Sequence, residues 1–511
     1  MREDWIEVEL QEVCFGSKGK KPPVLESQCT DKVSIPYINI KAFEKGIIDE
    51  YTNGEKCNLC EDGDLLMVWD GARAGLSGKA RKGAVGSTLM KIEEVKGIEK
   101  QYLSYFLLSL YTKINTNPRG VGIPHVEPSI LWQSKLLIVG SPTQRAIVSK
   151  IEALFSDLDN GIANFKKAQA QLKIYRQAVL KKAFEGELTK EWREKQSNLP
   201  TAEELLKQIK EERQNHYNQQ IEDWKKAVKE WEKNEKKGKR PSRISKPKEV
   251  SEVKESDIEN YETLPSRWKW SRFGNVTYKI GDIDHKMPKT VENGYPYLST
   301  GNLNGDGTID FSGAKTISKD DFDRLALKIK PQKGDIIFPR YGTIGRNILI
   351  DFDREFLVSY SCAIIKNITS LMSSKFALYY SLSPVIKKEI KRYTVETTQA
   401  NIGIASIENF VFPLCSTQEQ TQIVQEIESR LSVCDKMEQS ISDSIEKAEA
   451  LRQSILKKAF EGKLLSQAEI EQCKQAADYE PASELLKKIK AEKLAKEQEK
   501  KKSTTKKKSK E

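Results

Sequence analysis

The chain has 511 residues, of which 38% are hydrophobic and 31% are charged, and its formal net charge is +11. A chain of this length exceeds one ordinary domain and predicts roughly three or four. It contains no apolar stretch near the roughly 18 residues that a membrane span needs, and its acidic start lacks the apolar core of a secretory signal. We therefore expect a soluble, cytoplasmic protein.

The positive charge is concentrated in two segments. Residues 225–248 contain eleven Lys or Arg against three Glu, and residues 485–511 contain twelve against four. The remainder of the chain is net acidic. Such basic segments are either solvated or attract phosphate without sequence preference, so the net charge does not locate a binding site.

Residues 1–142 predict the first globular domain. Their segments rich in Val, Ile, Tyr and Phe are short and are separated by Gly, Pro and Asn, which indicates a mixed α/β domain with a substantial sheet. Cys57 and Cys60 have the spacing of a zinc knuckle, but no second pair follows, so two ordinary cysteines are the better interpretation. The basic residues that we consider for DNA contact in this domain are Arg73, Lys79, Arg81, Lys82 and Arg119.

A helical region follows over 143–213. Apolar residues recur there every 3.5 residues, a period that predicts a long helix with a seam buried against another helix. Only Gly161 interrupts the pattern, and some 45 residues at about 1.5 Å each span on the order of 65–70 Å. The seam and the motif after it contain Ile147, Ile151, Leu154, Leu158, Phe165, Leu172, Leu180 and Phe184.

A charged joint over 214–262 leads into the second globular domain, 263–414. The first part of the joint extends helical structure to about Glu235, and the Lys-, Pro- and Ser-rich remainder predicts a flexible linker. Arg can bridge two acceptors of guanine, and Asn or Gln can do so for adenine, whereas Lys favours phosphate. The residues considered for DNA contact in this domain are Arg340, Tyr341, Thr343, Arg346, Lys391, Arg392, Gln399 and Asn401.

The chain is a duplication. The segment RQAVLKKAFEGEL at 176–188 returns as RQSILKKAFEGKL at 452–464, and the offset of 276 residues holds upstream without gaps. A second helical region therefore occupies 415–495, with departures from its seam at Arg430 and Ser444, before a basic tail over 496–511 that we expect to be disordered. The second seam and motif contain Ile423, Ile427, Met437, Ile441, Leu451, Ile455, Leu456 and Phe460.

The globular parts are related more loosely than the helices. The sequence GDLLMVWDG at 63–71 resembles GDIIFPRYG at 334–342, and Trp5 has the position of Trp268. Similar helices with divergent globular parts are the pattern expected of two readers of different targets on one frame. We predict an α+β protein in which two mixed α/β domains alternate with two long helices that pair as an antiparallel coiled coil.

Catalytic motifs are not evident in the sequence. It contains neither a phosphate-binding P-loop motif nor the Asn/Asp-Pro-Pro-aromatic tetrapeptide of adenine methyltransferases, and only three histidines, His125, His216 and His285. The GxG at Gly120 and Gly122 follows no clear strand. We therefore expect a chain that is not itself an enzyme.

Two variable domains, each followed by a helix with the late motif LKKAFEG, resemble the specificity subunits of type I restriction–modification systems. The resemblance runs over roughly 1–213 and 263–495. It implies two target recognition domains that each read half of a bipartite DNA sequence, and paired helices that act as a ruler for the spacer and dock partner subunits.

The same resemblance implies the partners and cofactors. Two modification subunits would methylate adenine N6, and two restriction subunits would translocate and cleave DNA. S-adenosylmethionine, ATP and Mg²⁺ would bind to those partners, with no cofactor on this chain. The alternatives are a coiled-coil scaffold whose globular domains bind proteins and, more remotely, a self-contained enzyme.

Overall fold

The computed structural model describes residues 4–508 except 121, 239 and 395–400, and side chains up to residue 499. The chain divides into two compact units. The first combines residues up to Lys167 with those from Ile441 onwards, and the second comprises Ala168–Ser440. Each unit therefore contains one globular domain together with part of both long helices.

The first globular domain consists of short strands and four short helices, as the punctuated apolar segments predict. Its helices are α1 (Ile40–Lys45), α2 (Lys100–Ser109), α3 (Tyr111–Asn115) and α4 (Pro128–Trp132). Its strands are β1 (Ile6–Glu9), β2 (Cys14–Lys18), β3 (Ile35–Ile38), β4 (Tyr51–Thr52), β5 (Leu59–Cys60), β6 (Leu65–Val68), β7 (Ser77–Lys79), β8 (Gly83–Val85), β9 (Leu89–Glu94) and β10 (Lys135–Ile138).

Three helices separate this domain from the second one. They are the long helix α5 (Ser141–Phe184), the short α6 (Lys190–Glu194) and α7 (Ala202–Lys233). Helix α7 begins with a capping box, in which the Thr201 side chain accepts from the backbone of Glu204 and Glu204 accepts from the backbone of Thr201. Its end at Lys233 lies close to the predicted limit near Glu235.

The second globular domain contains four short helices and nine strands among its described residues. The helices are α9 (Lys319–Ala326), α10 (Ser374–Leu382), α11 (Pro384–Tyr393) and α12 (Ile404–Glu408), preceded in the joint by α8 (Glu255–Ile258). The strands are β11 (Lys269–Arg272), β12 (Thr277–Gly281), β13 (Thr290–Leu298), β14 (Lys315–Ile317), β15 (Ile336–Pro339), β16 (Ile348–Leu349), β17 (Leu357–Val358), β18 (Cys362–Asn367) and β19 (Val411–Leu414).

The two globular domains have the same sheet topology. A terminal pair joins β1 to β10 in the first domain and β11 to β19 in the second. A four-stranded sheet has the order β2-β9-β6-β7 in one and β12-β18-β15-β16 in the other. A parallel pairing, β3 with β8 and β13 with β17, completes the equivalence. The duplication therefore includes the globular parts, although their sequences have diverged.

The second long helix, α13 (Thr417–Phe460), is followed by α14 (Gln467–Lys474) and α15 (Ala482–Lys508). It has 44 residues, the same length as α5. The predicted disordered tail needs a correction over 496–508, because these residues continue α15. That segment contains Ala, Lys, Glu and Gln without Gly or Pro, a composition that favours helix.

The buried face of the long helices lies one residue from the predicted seam at one of its two positions. Ile147, Ile151, Leu180 and Phe184 on α5 and Ile423, Ile427, Ile455 and Leu456 on α13 are buried. The predicted seam residues that are partly buried are Leu154, Leu158, Phe165, Leu172, Ile441 and Phe460. Two predictions are wrong, since Met437 is 52% exposed and Leu451 is 47% exposed.

The physical reason is a shift of the heptad position. Phe155 and Cys434 are buried, Ile162, Leu431 and Ile445 are partly buried, and the positions 154, 430, 437, 444 and 451 lie beside this face. Gly161, Arg430 and Ser444, which interrupt the predicted seam, are therefore not central to it. Arg176 and Arg452 occupy the corrected position and form ion pairs instead.

These ion pairs are duplicated. In the second unit Arg176 on α5 donates to Asp435 at 2.6 Å and to Glu438 at 3.0 Å on α13. In the first unit Arg452 on α13 donates to Asp159 on α5. The two arginines differ by 276 residues, and so do the two aspartates. Each copy of the repeat thus supplies an arginine to the aspartate of the other.

Each long helix ends in an aromatic contact with a globular domain. In the first unit the Phe460 ring lies 5.1 Å from the Tyr102 ring and 5.2 Å from the Phe106 ring of α2. In the second unit the Phe184 ring lies 5.1 Å from Phe376 and 5.8 Å from Tyr380 of α10. The motif that ends α5 is therefore buried in the second domain, and the motif that ends α13 in the first.

Buried polar side chains fix the start of each long helix. Gln144 donates to the carbonyls of Gly97 and Val139 and accepts from the Glu99 backbone. Gln420 repeats the arrangement on Cys415 and Ser373. In the second unit only, the buried Glu419 also accepts from Thr189, Arg193 and the indole of Trp268.

The joint after α7 is tied down along part of its length. The Trp224 indole donates to the Pro241 carbonyl at 3.0 Å, and the Trp231 indole donates to the Gly238 carbonyl at 3.0 Å. Val250 donates to the Asn275 side chain at 2.9 Å. The predicted flexible linker therefore folds back along α7 at these points.

Truncation of either terminal phenylalanine is expected to destabilise only the unit that contains it. Phe460→Ala should destabilise the first unit and Phe184→Ala the second, each by about 3–5 kcal/mol, because an aromatic side chain is removed from a packed contact. Urea unfolding followed by limited proteolysis would assign the loss to a unit. The exposed Met437→Ala serves as a control, and equal loss in this control would contradict the assignment.

Candidate DNA interface

The candidate interface is the loop that follows the central strand of each four-stranded sheet. In the first domain Asp70, two residues after β6, forms an isolated antiparallel bridge with His125. In the second domain Tyr341, two residues after β15, forms the same bridge with Asn401. His125 and Asn401 differ by the repeat offset of 276 residues. The structure thus brings together residues distant in sequence at one equivalent place in both domains.

Arg340 lies below this loop in the second domain. Its side chain is 6% exposed and forms an ion pair with Asp282, whose side chain is 12% exposed. It also donates to the carbonyl of Ile402 at 2.7 Å and to that of Tyr360 at 3.3 Å. The prediction that Arg340 contacts DNA needs a correction, because its donors are committed to the frame of the domain.

Aromatic rings surround the same loop. His285 is stacked on Tyr360 with ring centroids 4.7 Å apart, and the Tyr341 ring meets Tyr360 edge-on at 6.3 Å. The His285 side chain is 63% exposed, and its Nε2 lies 3.3 Å from Asp282. His285 and Tyr360 were not among the sequence-predicted contacts, since neither lies in the segments shared by the two halves.

The remaining predicted contacts of this loop differ in exposure. Arg346 and Asn401 are exposed, which leaves both side chains accessible to a ligand. Thr343 is partly buried, and its hydroxyl is buried with no hydrogen-bond partner among the described residues. Gln399 lies outside the described residues.

The basic side chains of α11 face the joint as well as solvent. Arg392 donates to Asp257 at 2.6 Å, and Lys388 donates to the carbonyl of Asn260 at 3.0 Å. Burial raises the pKa of Asp257, but hydrogen bonds from Lys254, Arg392 and Arg272 outweigh it and lower that pKa to about 2. Arg392 therefore holds the joint against the domain, whereas Lys391 is exposed.

The predicted basic residues of the first domain are all exposed but partly neutralised. Arg73 pairs with Glu44 at 3.1 Å, and Lys82 pairs with Glu61 at 3.0 Å. Arg81 donates to the carbonyl of Gly46 at 3.4 Å, and Lys79 lies at the end of β7. Carboxylates that neutralise Arg73 and Lys82 reduce the positive charge that these side chains offer to phosphate.

Arg119 and His125 close a short hairpin at the candidate interface. Each donates its backbone N–H to the carbonyl of the other, at 2.9 and 3.0 Å. His125 Nδ1 lies 2.7 Å from Asp70, and Lys18 lies 2.9 Å from the second oxygen of Asp70. Sequence reasoning considered Arg119 alone, although the 276-residue offset from Asn401 pointed to His125.

Cys57 and Cys60 do not share an environment. Cys60 is buried and donates to the carbonyls of Arg81 and Gly83, and burial raises the pKa of its thiol to about 11. Cys57 is partly exposed and donates to the carbonyl of Glu55 at 3.4 Å. Within the described residues no group of three or more potential ligands could hold a metal ion.

The family comparison decides the identity of the chain. The model described as the type I restriction modification DNA specificity domain matches residues 2–166 and again 265–447. The chain belongs to this family. It is a type I specificity subunit whose function is DNA target recognition, and the coiled-coil scaffold is not favoured.

Curated relatives extend over most of the specificity subunit. The EcoBI specificity subunit of Escherichia coli is 23% identical over 471 residues, which cover 91% of this chain and 87% of the relative. The EcoDI specificity subunit of Escherichia coli is 25% identical over 405 residues, 78% of each chain.

A solved structure supports the fold. A chain from work on complex assembly and conformational transition of the type I R–M system matches with a TM-score of 0.56 and 16% identity. The match covers 91% of this chain and 99% of that chain, so the mixed helix-and-sheet, two-domain fold of the specificity subunit agrees with a known architecture. No helix among the described residues is long and apolar enough to cross a membrane.

Two neighbouring arginines should respond differently to truncation. Arg340→Ala leaves the Asp282 carboxylate without its buried partner and should destabilise the second unit by about 3–5 kcal/mol. Arg346→Ala should change stability by no more than about 0.5 kcal/mol, since Arg346 is exposed. Thermal unfolding of the two variants distinguishes them, and equal stabilities would contradict the structural role of Arg340.

Proposed function

We propose that this specificity subunit reads a bipartite DNA target, with one globular domain for each half-site, and directs methylation of adenine N6 by partner subunits. The observation that carries the proposal is the repeated topology: two domains in one chain present the same strand-end loop with different side chains. Equivalent loops suit equivalent positions on DNA, and different side chains suit different base sequences.

The chemistry belongs to the partners in this proposal. Two modification subunits bind S-adenosylmethionine and methylate, and two restriction subunits use ATP and Mg²⁺ to translocate and cleave DNA. This chain binds DNA and the partners in the cytoplasm and catalyses no step itself. Family membership and the specificity-subunit relatives support this division of labour.

We infer further that α5 and α13 pair as an antiparallel coiled coil, whose length sets the unread spacer between the half-sites. The reciprocal ion pairs of Arg176 with Asp435 and of Arg452 with Asp159 support this pairing. So does the shared buried position every seventh residue, represented by Ile151 and Phe165 on α5 and by Ile427 and Cys434 on α13.

The side chains available for base contact are Arg346 and Asn401 in the second domain and Arg119 in the first. Their exposure supports the assignment, and an Arg or Asn that bridges two acceptor or donor atoms of a base discriminates by about 1–3 kcal/mol. Lys391, also exposed, suits a phosphate, a contact that stabilises all sequences alike.

The exposed apolar side chains of the long helices suit the modification subunits. Ile174 on α5 is 70% exposed, and Val433 and Met437 on α13 are each 52% exposed. Large apolar side chains left in solvent on otherwise polar helices are typical of a protein–protein contact. Phe184 and Leu180, by contrast, are buried within this chain and are not available to partners.

Methylome sequencing tests the proposed function. Cells that express the modification subunit with this chain should acquire a methylated adenine motif split by a fixed spacer, and cells that express the modification subunit alone should not. A complex that forms and yields no split motif would contradict the proposal.

Met437→Asp is expected to weaken assembly without unfolding the chain. A carboxylate at an apolar contact should raise the dissociation constant for the modification subunit at least about tenfold, because the charge loses its hydration there. Calorimetric titration of the purified subunits measures this change. Ser432→Asp, at an exposed polar position of the same helix, adds the same charge and should bind normally; a normal Met437→Asp would contradict the docking surface.

A further inference from the structure

We propose that His125, held by Asp70, reads one base pair of a half-site by accepting a hydrogen bond from an exocyclic amino group, that of adenine or cytosine. The inference rests on the proposed function and adds a base-reading residue to the first domain.

The ring of His125 is oriented by a carboxylate. Asp70 Oδ1 lies 2.7 Å from Nδ1, and Lys18 lies 2.9 Å from Oδ2 of the same group. An ionised carboxylate can only accept, so Nδ1 donates to Asp70. In the neutral imidazole the other nitrogen, Nε2, is then left as an acceptor, the second-partner rule that fixes histidine tautomers.

The free edge of the ring is accessible. The His125 side chain is 44% exposed, whereas Asp70 behind it is 16% exposed. Gly120 lies beside the same edge, since a Cβ at this residue would meet His125 Cδ2 at 3.4 Å. Gly120 also has φ +95, a left-handed conformation that glycine adopts without strain.

The backbone of the hairpin is fixed to the end of the central strand. Gly71 donates to the carbonyl of Pro124 at 2.8 Å, and Val126 donates to the carbonyl of Trp69 at 2.9 Å. A side chain on such a fixed segment loses little conformational freedom when it binds a base. Lys18 and Arg119 flank it with positive charge that suits the adjoining phosphates.

The second domain repeats the position with a different donor–acceptor group. Ile402 donates to the carbonyl of Arg340 at 3.1 Å, as Val126 does to that of Trp69, and so places Asn401 at the equivalent of His125. Asparagine suits adenine, which offers an acceptor and a donor in the major groove. The two domains therefore use the same backbone site with side chains of different specificity.

The test compares methylated motifs of the whole complex. His125→Ala should make one A or C position of a single half-site degenerate, with discrimination lowered about fivefold or more, and should leave the other half-site unchanged. Asn401→Ala should change a position in the other half-site. Lys41→Ala, at an exposed residue of α1, is the control and should leave the motif intact.

Asp70 is a positioning residue in this account. Asp70→Ala should weaken discrimination at the same base pair as His125→Ala, and Asp70→Asn, which retains an acceptor oxygen, should restore it in part. A general loss of stability would not be confined to one base pair.

Three outcomes overturn the inference while the proposed function stands. They are an unchanged split motif in His125→Ala, a change at a position whose preferred base offers no amino group, and changes from His125→Ala and Asn401→Ala in the same half-site. If the unmodified complex yields no split motif, the proposed function itself fails.

Discussion

The exchange of helix ends between the two halves of the duplication organises this chain. Phe460 closes α13 against Tyr102 and Phe106 of the first domain, and Phe184 closes α5 against Phe376 and Tyr380 of the second. Because each helix starts behind one domain and ends buried in the other, neither half of the sequence is a complete unit by itself. Both compact units draw on both copies of the repeat.

The same frame leaves the strand-end loops free to vary. Backbone pairing of Asp70 with His125 and of Tyr341 with Asn401 fixes where the loop lies, and the sheet beneath it is closed by apolar residues in both domains. Specificity then depends on a few side chains, while stability depends on residues such as Arg340 that face inward. This separation explains how two domains with one topology can recognise different sequences.

The repeat and the length of the helices could be predicted from sequence, because the motif around LKKAFEG and the heptad period are local signals. The heptad position held by Met437 and Leu451 could not, since Phe155, Leu431 and Ile445 offer an equally apolar line one residue away and packing decides between them. The burial of Arg340 depends on Asp282, which is 58 residues distant. His125 required the pairing with Asp70, which no local pattern shows.

The spacer of the methylated motif tests the central claim most directly. One helical turn inserted at equivalent points of α5 and α13 adds about 5.4 Å to the paired helices, and B-DNA rises about 3.4 Å per base pair. We predict that the variant methylates the same two half-sites with a spacer one or two base pairs longer. An unchanged spacer in a folded, active complex would contradict the account in which the paired helices set the distance between two readers.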